Sequence, residues 1–306
     1  MIQRLLPFFT LVALFVILSI ASPNFLTSTN LASVVRQTAV INIMALGMTA
    51  IIIAGGIDLS VGSMLALAGL LGTMAMEKQG IALGMTVGLA AGMTCGFANG
   101  LMTTSLRINP FIVTLGTMGI FRGLALIISN GLPVHEIPPS FAYLAEGSLV
   151  HIPVVLWILL LCAVSMHILL EHTRLGRYAF SIGSNPDAAY YAGVPVRFHT
   201  TAVYAIAGLL TGLAGMIEAS RLMTGQPTGG QGYELTAIAA VVIGGGSLRG
   251  GEGSVLGTLV GAFIMGLLAN GSDLLGISPY WQQVIIGAVI ILAVSFDELR
   301  KRRMAK

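Results

Sequence analysis

The sequence predicts an all-α membrane protein, a polytopic bundle of about ten transmembrane helices in one domain over residues 1–306. Three observations carry that reading. Of the 306 residues, 56% are hydrophobic and 9% charged, whereas a soluble fold is about 25% charged because its surface must meet water. The mean hydropathy is +0.91. Apolar runs of span length also recur from one end of the chain to the other, and a hydrocarbon core needs roughly 20 such residues per helix. The pI of about 9.0 raises nucleic acid as a partner. The basic residues, however, sit in short loops and the tail rather than in an aromatic-laced patch. Lipid is therefore the expected surroundings and nucleic acid is not. Cys95 and Cys162 both fall inside apolar runs, which argues against a disulfide framework or a metal site.

Taken in order, the predicted spans are 5–21, 39–55, 61–76, 81–104, 110–129, 153–171, 200–221, 234–246, 254–271 and 280–296. The first has a basic flank at Arg4 and a small-residue ending before Pro23. That pattern also fits a secretory signal peptide, but the many apolar segments behind it favour an uncleaved span. The eighth, 234–246, is short enough to be a half-helix. An even number of spans places both termini on one side.

Lysine and arginine choose the side. With the N-terminus inside, the cytoplasmic cations are Arg4, Arg107, Arg174, Arg177, Arg197, Arg249, Arg300, Lys301, Arg302, Arg303 and Lys306. The outside set is Arg36, Lys78, Arg122 and Arg221, so the balance is eleven against four. Such a bias in short loops sets orientation. Both termini and the polar loop 172–199 are accordingly expected in the cytoplasm, and the proline-rich loop 130–152 outside.

An internal repeat points to two related halves. AIIIAGGIDLSVGSMLALAG at 50–69 matches AVVIGGGSLRGGEGSVLGTL at 240–259, with one extra residue in the second copy. Each is an apolar run, a glycine pair, a polar break, then Gly-Ser and a second apolar run. Gly55, Gly56 and Gly62 mark the first break, Gly245 and Gly246 the second. Paired glycine-interrupted segments point to a transport pathway, although a tight helical hairpin with small packing residues gives the same pattern. Two further stripes, Gly84-Gly88-Gly92-Gly96 and Gly208-Gly212-Gly215, allow helix backbones to approach closely, within the bundle or against a partner subunit.

Polar residues in or near spans are the candidates for lining a pathway: Asn42, Asp58, Asn99, Thr114, Glu218 and Asn270. Ionisable groups there are costly and suggest function. For Asp58 the favoured reading is capping of the helix that starts near Ser60. Glu218 and Arg221 have the spacing of an i,i+3 ion pair. The histidines do not cluster, and no motif of a membrane protease or esterase is present.

A phosphate-cradling loop needs Gly-Lys-Ser/Thr. The three lysines, Lys78, Lys301 and Lys306, none of which follows glycine, cannot supply it. If ATP drives this protein, the ATPase is another chain. Inside the loop 172–199, Asn185 caps a short helix, Pro186 takes its first position and Asp187 suits its positive end. Gly193 ends it. Ala188, Ala189 and Ala192 give the helix a small face that can slot into a partner.

These features resemble the permease subunits of bacterial ABC importers for monosaccharides of the ribose, xylose, arabinose and galactose type. The carriers are Ser22–Leu26, Gly56-Ile57-Asp58-Leu59-Ser60-Val61-Gly62-Ser63, His172–Arg177, Asn185–Gly193, Gln226-Pro227, Gly232–Leu235 and Ala239–Gly246. Together they cover nearly the whole chain. The resemblance implies that Asn185–Gly193 is the coupling helix that inserts into an ABC ATPase subunit, which binds ATP and magnesium; no cofactor is implied for this chain. It also implies a second permease copy, a periplasmic or lipoprotein sugar-binding protein that docks on the outer loops including 130–152, and residence in the bacterial inner membrane. Branched-chain amino-acid permeases share the architecture. An ion-coupled secondary carrier and a non-transporting scaffold are the readings that need no ATPase.

Overall fold

The structure of the protein, a computed structural model, describes residues 2–304, with the side chains of residues 6–292 and 295. Of the predicted cytoplasmic cations, Arg4, Arg300, Lys301, Arg302, Arg303 and Lys306 lie outside those described side chains. The elements are α1 (Ile2–Ala21), α2 (Ser28–Ile53), α3 (Val61–Gln79), α4 (Ile81–Ser105) and α5 (Pro110–Ser129). A 3-10 turn at Pro139–Ala142, α6 (Tyr143–Glu146) and a two-stranded hairpin of β1 (Ser148–Leu149) and β2 (Ile152–Pro153) follow. Then come α7 (Val154–His172), α8 (Arg174–Ser184), α9 (Pro186–Tyr191), α10 (Val196–Leu222), α11 (Tyr233–Ile243), α12 (Val255–Leu274) and α13 (Pro279–Met304).

Each predicted apolar segment falls on one of these helices. By length and composition, α2, α4, α5, α7, α10 and α12 are able to cross a membrane. The 11 residues of α11 reach about 16 Å at 1.5 Å each, roughly half a hydrocarbon core. The protein is a multi-pass, all-α membrane protein.

The largest boundary error is at α2, which begins at Ser28 rather than near 39. The Thr27 side chain accepts the Asn30 N–H and starts the helix. The polar residues that follow then find partners. Asn30 exchanges two amide hydrogen bonds with Asn270 of α12, at 3.1 and 2.8 Å, and Arg36 pairs with Glu146 at 2.7 Å. Tertiary bonds thus carry a polar stretch that hydropathy reads as loop.

Buried almost completely from Thr38 to Ile53, α2 is the axis of the bundle, packed by α7, α10, α11 and α12. The two glycine stripes meet each other within the chain. A Cβ on Gly208 would come 2.9 Å from Gly96 Cα, and one on Gly92 would come 2.6 Å from Gly212 Cα. Only glycine permits such an approach; Gly92 and Gly96 are spent on Gly208 and Gly212 across the α4–α10 contact, while Gly84 and Gly215 pack against Gly72 and Gly69 of α3, so both stripes are used within the chain.

The outer loop is folded rather than slack. Phe141 and Ile137 pack with Met76, Met216 and Ala219. The Ser220 hydroxyl donates to the Phe141 carbonyl at 2.7 Å and accepts from the Ala145 N–H at 3.2 Å. Further along, Val134 and Gly225 exchange backbone hydrogen bonds at 3.0 and 2.9 Å.

Candidate functional site

The repeated glycine pairs build the same helix stop twice. At the end of α2, Gly55 is left-handed (φ 81°); its N–H bonds to the Ile52 carbonyl, and the Gly56 N–H bonds to the Ile51 carbonyl, both at 2.9 Å. At the end of α11, Gly245 is left-handed (φ 91°), and the Gly245 and Gly246 N–H groups bond to the Val242 and Val241 carbonyls at 2.9 and 2.8 Å. This is the paired closure that a glycine past the helix end permits.

The two restarts differ. Asp58 Oδ1 accepts from the Ser60 N–H at 2.8 Å and the Ser60 hydroxyl at 2.6 Å, while Asn99 donates to Asp58 Oδ2 at 3.2 Å and to Ser60 Oγ at 2.8 Å. At the second break Ser254 Oγ accepts from the Gly257 N–H at 3.1 Å. The Asp58 carboxylate therefore braces the start of α3, as a short acidic side chain at a turn does.

The structure brings three of the candidates together at this first break. Beside Asp58 and Asn99, the Thr114 hydroxyl lies 3.2 Å from the Ile57 carbonyl. Tyr204, 1% exposed, aims its hydroxyl at the same carbonyl from 3.4 Å. Sequence reasoning missed Tyr204, since a lone tyrosine in an apolar run gives no signal. The other candidates lie apart. Asn42 donates to Thr38 on its own helix at 3.0 Å, with its Oδ1 unpartnered among the described residues. Asn270 bridges to Asn30. Glu218 is bound by Arg221 at 2.9 and 3.1 Å and by the Tyr233 hydroxyl at 3.1 Å.

In the polar loop the cap geometry is as the residues prescribe. Asn185 Oδ1 accepts the Ala188 N–H at 2.9 Å, and Gly193 (φ 83°) ends α9. Its alanines divide: Ala188 and Ala192 are exposed, but Ala189 is buried against Ile182 and Val194. The predicted docking face thus loses Ala189 to the chain's own packing. Beside it Tyr190 and Tyr191 are 67% and 86% exposed. Together with Arg107, Arg197 and Phe198 they line a groove of about 830 Å³ between α9, the start of α10 and the end of α4.

Sequence reading assigned no role to α8, yet its C-terminal turn touches both helix breaks at Gly183. A Cβ there would run into the Ile53 carbonyl and come 2.7 Å from the Gly251 nitrogen. A Cβ on Gly250 would lie 2.6 Å from the Gly183 carbonyl and 2.9 Å from Gly55 Cα. The Gly251 N–H itself bonds to the Ile53 carbonyl at 2.9 Å. The end of the polar loop's first helix is therefore wedged, backbone on backbone, between the two repeated breaks.

The fold is thus a bundle of apolar helices with two matched interruptions, both in contact with one surface loop, and comparison with known proteins makes it a membrane transport subunit. The chain belongs to the family described as "Branched-chain amino acid transport system / permease component", which matches residues 30–294. It is 45% identical over 298 residues to the ribose import permease protein RbsC of Bacillus subtilis (strain 168), covering 96% of this chain and 92% of that one. To the L-arabinose transport system permease protein AraH of Escherichia coli (strain K12) it is 39% identical over 290 residues, covering 94% and 88%. The D-allose transport system permease protein AlsC of the same strain is 36% identical over 296 residues, covering 95% and 90%. No solved structure matches the chain at a significant level. Import permeases of this kind serve ABC transporters, with ATPase and substrate-binding partners, and the chain is a multi-pass inner-membrane protein.

Proposed function

We propose that the chain forms the pathway of a monosaccharide ABC importer and receives ATP-driven motion through α9 and α8. The ribose-type solute is favoured by the relatives, whose names specify ribose, allose and arabinose import. In this reading ten helices cross the membrane, in two related halves, with both termini cytoplasmic. A second permease copy completes the pathway, and a sugar-binding protein docks on the folded outer loop. ATP and magnesium are held by the ATPase partner, which sits on α9 with Tyr190 and Tyr191 in its groove.

The observation that carries the proposal is the wedge at Gly183. Motion of α9 reaches α8 through their shared residue Asn185, and α8 abuts both helix breaks at once. A close-packed interior transmits such displacement instead of absorbing it.

Uptake by the complete complex in vesicles tests the coupling. Ala188→Arg and Ala192→Arg place a charge on the exposed face of α9 and are expected to abolish ATP-driven uptake with the permease's melting temperature unchanged. Ala189→Arg, which buries a charge, is expected to lower the melting temperature as well. Normal uptake by both exposed-face variants would remove the coupling role from α9. Uptake by this chain alone, driven by an ion gradient, would replace the ABC reading with a secondary carrier.

A further inference from the structure

Between α10 and α11 the chain reads TGQPTGGQG, residues 224–232, with the composition of a surface turn. It does not stay at the surface. Gly225 lies against Leu70 and Thr73 of α3, whereas Gly230 backs onto Gly62 and Leu65 of the same helix. The segment therefore runs down α3 from Thr73 to Gly62, about 16 Å at 1.5 Å per residue. That part of α3 is flanked by the interior of α4: Gly84 meets Gly72, Gly88 meets Ala68, and Asn99 bonds to Ser60. Residues 225–230 thus descend through roughly half of a ~30 Å hydrocarbon core without being helical.

Non-helical backbone at that depth persists only where protein covers it or water wets it. One side is covered, since Thr224, Gly225, Pro227 and Gly230 are buried, but Thr228, Gln231 and Gly232 are exposed. The charges nearby are already committed. Arg122, in the middle of apolar α5, donates to the Pro227 carbonyl at 2.6 Å, and Glu234 accepts the Gly232 N–H at 3.2 Å. A guanidinium is costly among lipid tails, so its use on a single backbone carbonyl marks a conformation that must be held. Behind the segment lies a cavity of about 290 Å³ lined by Glu218, Thr224, Gln226 and Thr228, beside Leu65 and Gly69.

We propose that residues 224–232 are a re-entrant lining of the solute pathway, wetted on their open side. Gln226, Thr228 and Gln231 present amides and hydroxyls to an uncharged polyhydroxylated solute. With Arg122 and Glu234 bonded to the segment's own backbone and Glu218 paired with Arg221, what the open side adds are neutral groups that both donate and accept hydrogen bonds, as sugar hydroxyls require. The solute class rests on the importer reading; the water contact does not.

Thiol labelling of the full chain in membrane vesicles tests the lining, with the buried Cys95 and Cys162 replaced by alanine. Thr228→Cys and Gln231→Cys are expected to react with a charged, water-soluble methanethiosulfonate within about ten-fold of the rate at Val150→Cys in the outer hairpin, because the reactive species is the hydrated thiolate. Leu161→Cys, on the exposed face of α7, should stay inert. Reaction as slow as at Leu161→Cys for both test positions would overturn the lining. Separately, Gln226→Leu and Thr228→Val should cut sugar uptake by the assembled complex at least about ten-fold, the loss expected when buried polar partners go unpaired. Full uptake by both would overturn the solute contact. Labelling at Thr228→Cys in a chain whose complex moves no sugar would support the lining while rejecting the importer reading.

Discussion

Arg221 closes a two-pronged ion pair on Glu218 from the same helix face, and Tyr233 brings its hydroxyl to that carboxylate from α11. Glu218 is 7% exposed, so those partners stand in for the water its carboxylate oxygens lack. Arg221→Ala is expected to destabilise the permease by about 3–5 kcal/mol, the cost of leaving a buried charge without its counter-ion, read as a lower unfolding temperature in detergent. Arg221→Lys should recover only part of the loss, because an ammonium cannot reproduce the fork. The Glu218–Arg221 pairing was legible from three-residue spacing. Tyr233 was not, because it reaches Glu218 only after the chain has passed down and back through residues 224–232. For the same reason hydropathy gave no hint that Arg122 holds the Pro227 carbonyl. A helix-start role for Asp58 was legible because its bonds to Ser60 are local; its Asn99 partner comes from 41 residues away.

Helices α4 and α5 use glycine in opposite ways. On α4, a methyl at Gly96 would strike the Tyr204 carbonyl, whereas at Gly116, Gly119 and Gly123 of α5 a Cβ would meet nothing within 4 Å. Gly96→Ala should therefore cost about 1–3 kcal/mol through overpacking. Gly116→Ala and Gly119→Ala should leave stability unchanged or raise it by up to about 1 kcal/mol, the usual helix advantage of alanine. Circular dichroism of thermal unfolding distinguishes the two, and equal losses on both helices would contradict the packing described. Glycine spacing announced close approach, but not which stripe meets which. The caps of α9 were legible because Asn185 and Gly193 act within a few residues. Burial of Ala189 was not, because Ile182 and Val194 cover it from outside its own helix.

The molecule as a whole is oriented by its loops, and the structure changes the weight of that argument. Arg36, Arg122 and Arg221, all counted outside, lie within α2, α5 and α10 and are held there by Glu146, Pro227 and Glu218. Lys78 in the last turn of α3 is the one outside cation of the four without such a helix-interior role. Arg107, Arg174, Arg177, Arg197 and Arg249 keep the opposite face basic, and loop cations near span ends are the ones that orient a chain. A phosphatase reporter fused after Val150 is expected to be active, since that enzyme folds only outside the cytoplasm, and one fused after Gly250 inactive. The reverse pattern would invert the molecule. The count and rough position of the apolar segments were readable because hydropathy is a property of each stretch alone. The early start of α2 and the run at 224–232 were not readable, because both depend on partners far away in sequence.

Asn185 ends α8 with its backbone and begins α9 with its side chain: its N–H goes to the Ser181 carbonyl at 3.0 Å and its Oδ1 takes the Ala188 N–H at 2.9 Å. One residue serving both ends leaves no linker between the two helices, so the joint is a short elbow. A load on α9 cannot dissipate at the bend without breaking one of those two bonds. In the proposed coupling it is turned through the corner and delivered at Gly183, two positions back along the chain. Such an elbow behaves as a bell-crank, in which the direction of the push matters as much as its strength. Lengthening the corner by even one glycine would turn the crank into a slack string while leaving every surface residue of the loop in place.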